Sequence, residues 1–143
     1  MWACLGFVLF FIAAAFLFWL LDPDQRRRRA YEDELAARMP VTDNEWADRY
    51  FSEREMVDIS LRVRRLFAEQ TGYPADQLLP DDDFAFIFVE MNAAELLETL
   101  ENEYEIVISR ADAEATPPTI RCVSELVKRL RDEHVAADHP SGR

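Results

Sequence analysis

Hydrophobic and polar positions divide this chain into an uncharged run and a charged body in which apolar residues recur with helical spacing. Residues 1–21, MWACLGFVLFFIAAAFLFWLL, contain no Asp, Glu, Lys or Arg. Coiled as a helix, they would extend about 32 Å, enough to cross a hydrocarbon core about 30 Å thick. The run therefore predicts a transmembrane helix over residues 1–21. Trp2 and Trp19 lie near its two ends, where indole rings favour the membrane interface.

Other kinds of apolar N-terminal segment fit this sequence less well. A cleaved signal peptide starts with positive charge and places small residues after its apolar core, whereas the alanines at 13–15 lie inside the run. A lipoprotein signal would place its cysteine after the apolar stretch, but Cys4 precedes it. A pilin-like start at Gly6 and Phe7 would need a glutamate where Phe11 stands. A retained anchor is therefore the interpretation that the residues favour.

The basic residues beside this run predict its orientation. Arg26, Arg27, Arg28 and Arg29 follow it, and no Lys or Arg precedes it. By the positive-inside rule, the N-terminus lies outside and the remaining chain lies in the cytoplasm. This predicts a single-pass protein of the inner (cytoplasmic) membrane. The same four arginines are expected to contact anionic lipid head groups.

Residues 22–54 are predicted to form a basic flank and a helical connector. Residues 31–38 are rich in Ala and Glu and predict a helix that ends before Pro40. Thr42 followed by Glu45 is a capping-box pattern that predicts a second, short helix. Its aromatic side chains indicate a face that packs on the domain itself or, alternatively, docks a partner: Trp46, Tyr50 and Phe51.

Residues 55–135 carry the apolar periodicity of a helical bundle. Gly72 is placed to end the first main helix. The buried stripe of that helix is predicted to be Met56, Ile59, Val63, Leu66 and Phe67. A long polar loop follows, and its predicted anchors to the core are Leu78, Leu79 and Phe84.

Two further helices complete the predicted bundle. The second main helix covers residues 89–104, with a buried stripe of Ala93, Leu96, Leu97, Leu100 and Tyr104. A loop with a short helical turn near residues 111–115 follows, and Pro117 and Pro118 forbid regular structure at its end. Thr119 is predicted to cap the last helix, whose stripe is Ile120, Val123, Val127 and Leu130. Residues 136–143 are predicted to form a disordered tail.

The charge of the chain limits the classes of function. Residues 1–29 carry four Arg and two Asp, a net charge of +2, whereas residues 30–143 carry 12 Lys and Arg and 26 Asp and Glu, a net charge of −14. An acidic body argues against nucleic-acid binding, which requires a basic face. It favours association with basic protein surfaces, although a merely well-solvated surface is the alternative reading.

Residues suited to catalysis or metal binding are sparse. Cys4 and Cys122 are too few for a disulfide framework, and the histidines and cysteines lack metal-ligand spacing. The acids at 81–83 with Glu90 lack the alternating aspartates and central glycine of a calcium loop. The chain also lacks a glycine-rich phosphate loop and a candidate triad. The sequence therefore predicts no enzyme, no bound metal and no cofactor.

Four acids of the second main helix form the candidate partner-binding site: Glu90, Glu98, Glu101 and Glu105. At about 100° per residue they fall within about 80° of one another, beside the buried stripe. Like charges at such spacing repel weakly, so helix stability does not require them. They are explained either by solvation of the helix or by recognition of a basic partner.

The order of these features resembles the acyl carrier protein family over residues 56–130. The matching residues are Gly72 at the end of the first helix, Pro80 and Phe84 in the loop, the run LENEYEIVI at 100–108, and Thr119 with Ile120 at the start of the last helix. The resemblance implies an all-α fold, an acyl-carrier-like three-to-four-helix bundle behind an N-terminal transmembrane helix. It also implies that the second helix is an acidic recognition helix.

The chain departs from that family where the prosthetic group is attached. Carrier proteins hold phosphopantetheine on the serine of an Asp-Ser-Leu motif at the start of the second helix, and the aligned triplet here is Val89-Glu90-Met91. No serine lies between Ser60 and Ser109, so the phosphodiester cannot form. The resemblance therefore implies the fold without the carrier activity. In a sharper form of this hypothesis, Glu90 supplies the negative charge of the missing phosphoester.

Together these features predict a non-enzymatic, membrane-tethered protein-interaction module with an acyl-carrier-like fold. Its expected contacts are membrane lipids through residues 1–29 and a basic protein surface through the four acids. The alternative is an accessory or scaffold carrier-like subunit in a membrane-associated lipid or polyketide pathway. A purely structural subunit of a membrane complex is a third hypothesis. The sequence carries no signal for a particular oligomeric state.

Overall fold

A computed structural model describes residues 23–87 and 93–138 of the chain. Over these ranges the chain forms six α-helices, one 3₁₀-helix and no strand, so the predicted all-α class is confirmed. The helices are α1 (Pro23–Ala37), α2 (Asp43–Tyr50), α3 (Arg54–Thr71), α4 (Ala93–Tyr104), α5 (Arg110–Ala115) and α6 (Ile120–Asp138), and the 3₁₀-helix is Ala75–Gln77. No helix in the described ranges is both long and apolar enough to cross a membrane. The predicted transmembrane segment, residues 1–21, lies outside them.

The chain divides into two compact units, Met1–Ala37 and Arg38–Arg143. The first contains α1, which begins at Pro23, earlier than the predicted start at residue 31. Proline is tolerated in the first turn of a helix, and no helix-breaking residue follows before Pro40, so the arginine block is helical. The buried side chains of α1 are Tyr31 and Leu35.

The second unit includes α2, which the sequence had placed in the connector. The predicted capping box is present: Glu45 N donates to Thr42 Oγ1 at 3.3 Å, and Thr42 N donates to Glu45 Oε2 at 3.0 Å. Trp46 is fully buried, and its Nε1 donates to Ser60 Oγ on α3 at 3.0 Å. The aromatic face of α2 thus packs on the domain itself, the first of the two alternatives.

The core of the second unit lies between α3 and α6, which pack most extensively on each other, and α4 contacts both. All five residues of the predicted α3 stripe are buried. The Phe67 and Phe84 rings lie 4.8 Å apart between centroids, which ties the long loop to α3. Gly72 ends α3 in the left-handed conformation with φ +75°, as predicted, because only glycine adopts it without strain.

The long loop between α3 and α4 is fixed by backbone hydrogen bonds as well as by its apolar anchors. Leu78 and Phe84 are buried and Leu79 is half-buried, close to the prediction. Phe84 N donates to Pro118 O at 3.2 Å, and Arg121 N donates to Pro80 O at 2.9 Å. These bonds hold the described part of the loop against the start of α6.

The last helix follows its predicted pattern and is longer than expected. Thr119 Oγ1 accepts a hydrogen bond from Cys122 N at 3.1 Å, which confirms the predicted cap. Three residues of the stripe are buried and Leu130 is half-buried. The helix continues to Asp138, into the segment predicted to be disordered, and residues 139–143 lie outside the described ranges.

Candidate functional site

Glu101 holds the segment that follows α4 against the helix. Its backbone carbonyl accepts a hydrogen bond from Ile106 N at 3.2 Å, and its side-chain Oε1 accepts one from Ile108 N at 2.7 Å. The side chain is half-buried in this arrangement. Hydrogen bonds to a carboxylate are stronger than neutral ones. Among the predicted partner-binding acids that the structure describes, Glu101 is thus the one with an internal contact.

The two bonds to Glu101 leave the side chains of residues 105 and 107 in solvent. Glu105 has φ +53°, a left-handed conformation that is uncommon for a residue with a side chain and that follows the last residue of α4. Exposure then alternates, because Ile106 is 5% exposed and Val107 is 81% exposed. Ile106 N is bonded to the backbone carbonyl of Glu101 and Ile108 N to its carboxylate, so the exposed Val107 lies between two residues that are held to Glu101.

Glu98 precedes Glu101 by nearly one helical turn and is exposed, as is Glu105. Neither carboxylate has an ion pair or hydrogen bond to another residue in the described ranges. We call Glu98, Glu105 and Val107 the α4-end surface. Two of the predicted acids are thus exposed at this end of α4: Glu105 is two residues from the exposed Val107, and Glu98 precedes Glu101, whose carboxylate is bonded to Ile108 N.

Glu103 and Tyr104 belong to a different face of α4. Arg62 Nε on α3 donates to both carboxylate oxygens of Glu103, at 2.7 and 2.9 Å. This hydrogen bond is the main cause that raises the pKa of Arg62. Burial raises the pKa of the Tyr104 hydroxyl above its ordinary value. These two residues connect α4 to α3 and leave the α4-end surface to face solvent.

Several predicted site residues lie outside the described ranges or in the other unit. Glu90, Trp2 and Trp19 lie outside them. The four arginines at 26–29 lie on α1, where Arg28 Nε donates to Glu32 Oε1 at 3.2 Å. Their contact with lipid head groups stays a prediction, and so does the role of Glu90.

The stretch that contains the α4-end surface has no cation of its own. Residues 66–109 include eleven Asp and Glu and no Lys, Arg or His. Basic side chains at the end of α6 are engaged with other acids: Lys128 with Asp132 at 2.9 Å, Arg129 with Asp112 at 2.6 Å, and Arg131 with Glu55 at 3.0 Å. The negative charge of the surface is therefore not neutralised by these cations.

The three consecutive aspartates of the loop have three separate roles. Asp82 is buried and forms a two-pronged pair with Arg38 at 2.7 and 2.8 Å, Asp81 pairs with Arg121 at 2.6 Å, and Asp83 Oδ1 accepts from Ala85 N at 2.9 Å. The hydrogen bond from Arg121 lowers the pKa of Asp81. No group of three His, Cys, Asp or Glu within the described residues could hold a metal ion.

A buried arginine was missed by reasoning from the sequence. Arg64 on α3 is 1% exposed, and its guanidinium lies 4.1 Å from the centre of the Trp46 ring. Its Nη2 donates to Val41 O at 3.0 Å, whereas its buried Nε has no hydrogen-bond partner among the described residues. Burial lowers the pKa of this guanidinium. The signal was present, because Ser60 and Arg64 continue the spacing of four from Met56 along the buried face.

Comparison of the chain with models of known protein families, with curated proteins and with solved structures found no match.

Proposed function

We propose that this chain is a non-enzymatic, membrane-tethered interaction module with an acyl-carrier-like helical bundle, and that it binds a basic protein surface through the α4-end surface. The observation that carries the proposal is the exposure of Glu98, Glu105 and Val107 at the end of α4 and in the segment after it, in a stretch of sequence without cations. Residues 1–21 supply the membrane tether, and the arginines at 26–29 orient it with the bundle in the cytoplasm.

The described residues support the carrier-like part of the proposal. A long loop separates α3 from α4, Gly72 ends α3, and Phe84 is buried where the resemblance requires a phenylalanine. The absence of serine between Ser60 and Ser109 excludes phosphopantetheine attachment on this helix. In its sharper form the proposal assigns to Glu90 the negative charge that a loaded carrier bears.

The charges and the valine have different parts in this recognition. Exposed carboxylates mainly raise the rate of encounter with a basic surface and disfavour binding of acidic surfaces. They contribute less to the affinity itself. Complete burial of Val107 against a partner would contribute about 1.5–3 kcal/mol. Glu101 acts indirectly, because its bond to Ile108 N holds the segment on which Val107 is exposed.

Capture of partners by tagged full-length protein in nonionic detergent tests the proposal. The proposal predicts a partner that the unchanged protein captures and that the double variant Glu98→Gln with Glu105→Gln does not. The control double variant, Glu69→Gln with Glu125→Gln, should still capture it. Each double variant removes two negative charges, and all four carboxylates are exposed, so the two variants differ only in where the charge is lost. Because surface electrostatics are screened over about 8 Å at physiological salt, capture should also weaken as salt rises.

Two further variants test the finer parts of the proposal. Replacing Glu90, Glu98, Glu101 and Glu105 together by Gln should weaken capture more than the double variant does. Glu90→Gln alone should reproduce much of that loss if Glu90 stands in for the phosphoester. The proposal fails if capture at low salt is the same for the fourfold variant and for the unchanged protein.

A further inference from the structure

A groove between α3, α4 and α6 has no part in the function proposed above. Its volume is about 440 Å³, and it is lined by Arg54, Glu55, Asp58, Ile59, Tyr104 and Arg131. This volume lies within the range of about 300–1,000 Å³ that is typical of small-molecule sites. Three helices of one compact unit form its walls, so its geometry is set by the packing of the core.

The groove contains one unengaged charge of each sign. Glu55 and Arg131 satisfy each other, with Arg131 Nη2 at 3.0 Å from Glu55 Oε1. Arg54 and Asp58 are exposed, and neither has an ion pair to another residue in the described ranges. The four charged side chains of the lining sum to zero. The groove is thus neutral and presents one exposed charge of each sign, from Arg54 and Asp58.

Tyr104 adds a hydrogen-bond donor, and Ile59 adds an apolar floor. Tyr104 is half-buried, and its hydroxyl has no hydrogen-bond partner among the described residues. Burial is the main cause that raises the pKa of this phenol, and the neighbouring charges that also act on it are Glu103, Arg62, Arg131 and Asp58. Ile59 is 1% exposed and closes the base of the groove.

We propose that this groove binds a small zwitterion that carries an oxyanion and a primary ammonium group. The oxyanion accepts hydrogen bonds from the Arg54 guanidinium and the Tyr104 hydroxyl, and the ammonium donates to the Asp58 carboxylate. Methylene groups between the two charges lie over Ile59. Arginine and a phenol suit carboxylate and phosphate oxygens equally, so amino acids and ethanolamine-type phospholipid head groups share the required chemistry.

A ligand of net charge zero fits this groove better than a simple ion. The chain has a net charge of −12, which repels a free anion at long range. An anion alone would also meet Asp58 and Glu55, and a cation alone would leave Arg54 without a partner. A zwitterion avoids both penalties because it places its anionic group at Arg54 and its ammonium at Asp58.

Nuclear magnetic resonance of the full chain in nonionic micelles tests the proposal, with the Ile59 δ1 methyl group and the Arg54 Nε–H as reporters. Glycerophosphoethanolamine and β-alanine are the two zwitterionic probes, and saturation by either supports the proposal. The first indicates a lipid head group and the second an amino acid. Glycerol 3-phosphate lacks the ammonium, glycerophosphocholine lacks its N–H donors, and both should bind about tenfold more weakly or not at all.

Matched variants identify the site. Arg54→Gln and Asp58→Asn should each weaken binding of the zwitterion about tenfold, whereas the control Glu69→Gln on the same helix should leave it unchanged. The three residues are exposed, so all three variants should keep the fold, which the remaining methyl resonances report. Shifts that do not saturate, that are equal with glycerol 3-phosphate, or that persist in both charge variants would overturn the proposal.

Discussion

Asparagine placed at each of the three loop aspartates in turn should cause three different losses of stability. Asp82 is the most engaged: Arg38 Nη1 and Nη2 donate to its two oxygens at 2.7 and 2.8 Å, and Leu79 N donates to Oδ2 at 2.8 Å. The side chains of Arg38 and Asp82 are 14% and 7% exposed. Asp81 is 68% exposed in its pair with Arg121, and Asp83 caps only the exposed Ala85 N.

The magnitudes follow from these contacts. Asp82→Asn removes the charge opposite a largely buried guanidinium, a change that costs about 3–5 kcal/mol. Asp81→Asn breaks an exposed pair and should cost about 0.2–1 kcal/mol. Asp83→Asn should be close to neutral, because the amide oxygen of asparagine still accepts from Ala85 N. The three variants share the same chemical change, so each serves as a control for the others.

Urea unfolding of the full chain in nonionic micelles measures this order, with Trp46 as the fluorescent reporter after Trp2→Phe and Trp19→Phe in every variant. With a denaturant dependence of about 1–3 kcal/mol per molar urea, Asp82→Asn should lower the midpoint by about 1 M or more. If Asp82→Asn and Asp83→Asn unfold at the same urea concentration, the pair with Arg38 does not stabilise the loop and the reasoning is refuted.

Three further predictions concern features seen in single contacts. Gly72→Ala should lower the free energy of unfolding by about 1–2 kcal/mol, because alanine is strained at φ +75° even though no atom lies within 4 Å of the added Cβ. Gly72→Asn should lower it by less in the same urea assay, because asparagine tolerates this conformation better. Arg64→Ala should lower the free energy of unfolding by about 2–5 kcal/mol, because it leaves a cavity beside Trp46. Arg64→Met keeps the volume and removes a buried charge, so it should lower the free energy of unfolding by less than about 1.5 kcal/mol. Equal losses in the two variants would contradict this account. The hydrogen bond from the Ser109 hydroxyl, followed by the one from Arg129, lowers the pKa of Asp112, so carboxyl carbon-13 titration should show a rise of this pKa in Ser109→Ala and in Arg129→Gln, and no rise in either variant would contradict this assignment. Because the folded pKa of Asp112 is lowered, its contribution to stability is complete above its unfolded pKa and is lost as pH falls through the folded one.

Features that depend on nearby residues were predictable from the sequence. The caps at Thr42 and Thr119, the left-handed Gly72 and the five buried residues of the α3 stripe each follow from residues within a few turns. Helix periodicity and capping act over such distances, so a single sequence carries them.

Features that depend on distant partners were not predictable. Asp82 looks like its neighbours in sequence, and its burial is decided by Arg38, 44 residues away. Arg64 is buried because Trp46 covers it, and Trp46 lies on another helix. Glu101 was assigned to a free acidic face, yet it binds Ile108 N because the chain turns back after α4. That turn requires the left-handed Glu105, which no local pattern indicated.

Photo-cross-linking in cells tests the proposed function most directly, with benzoylphenylalanine in place of Val107 or, as a matched control, Val135. Both valines are exposed, at 81% and 57%, and only Val107 lies on the α4-end surface. The account predicts a cross-link from position 107 to a basic protein, no such product from position 135, and a loss of the product on Glu98→Gln with Glu105→Gln. The account would be contradicted if position 107 gave no cross-link. It would also be contradicted if both positions gave the same product and the Gln variants left that product unchanged.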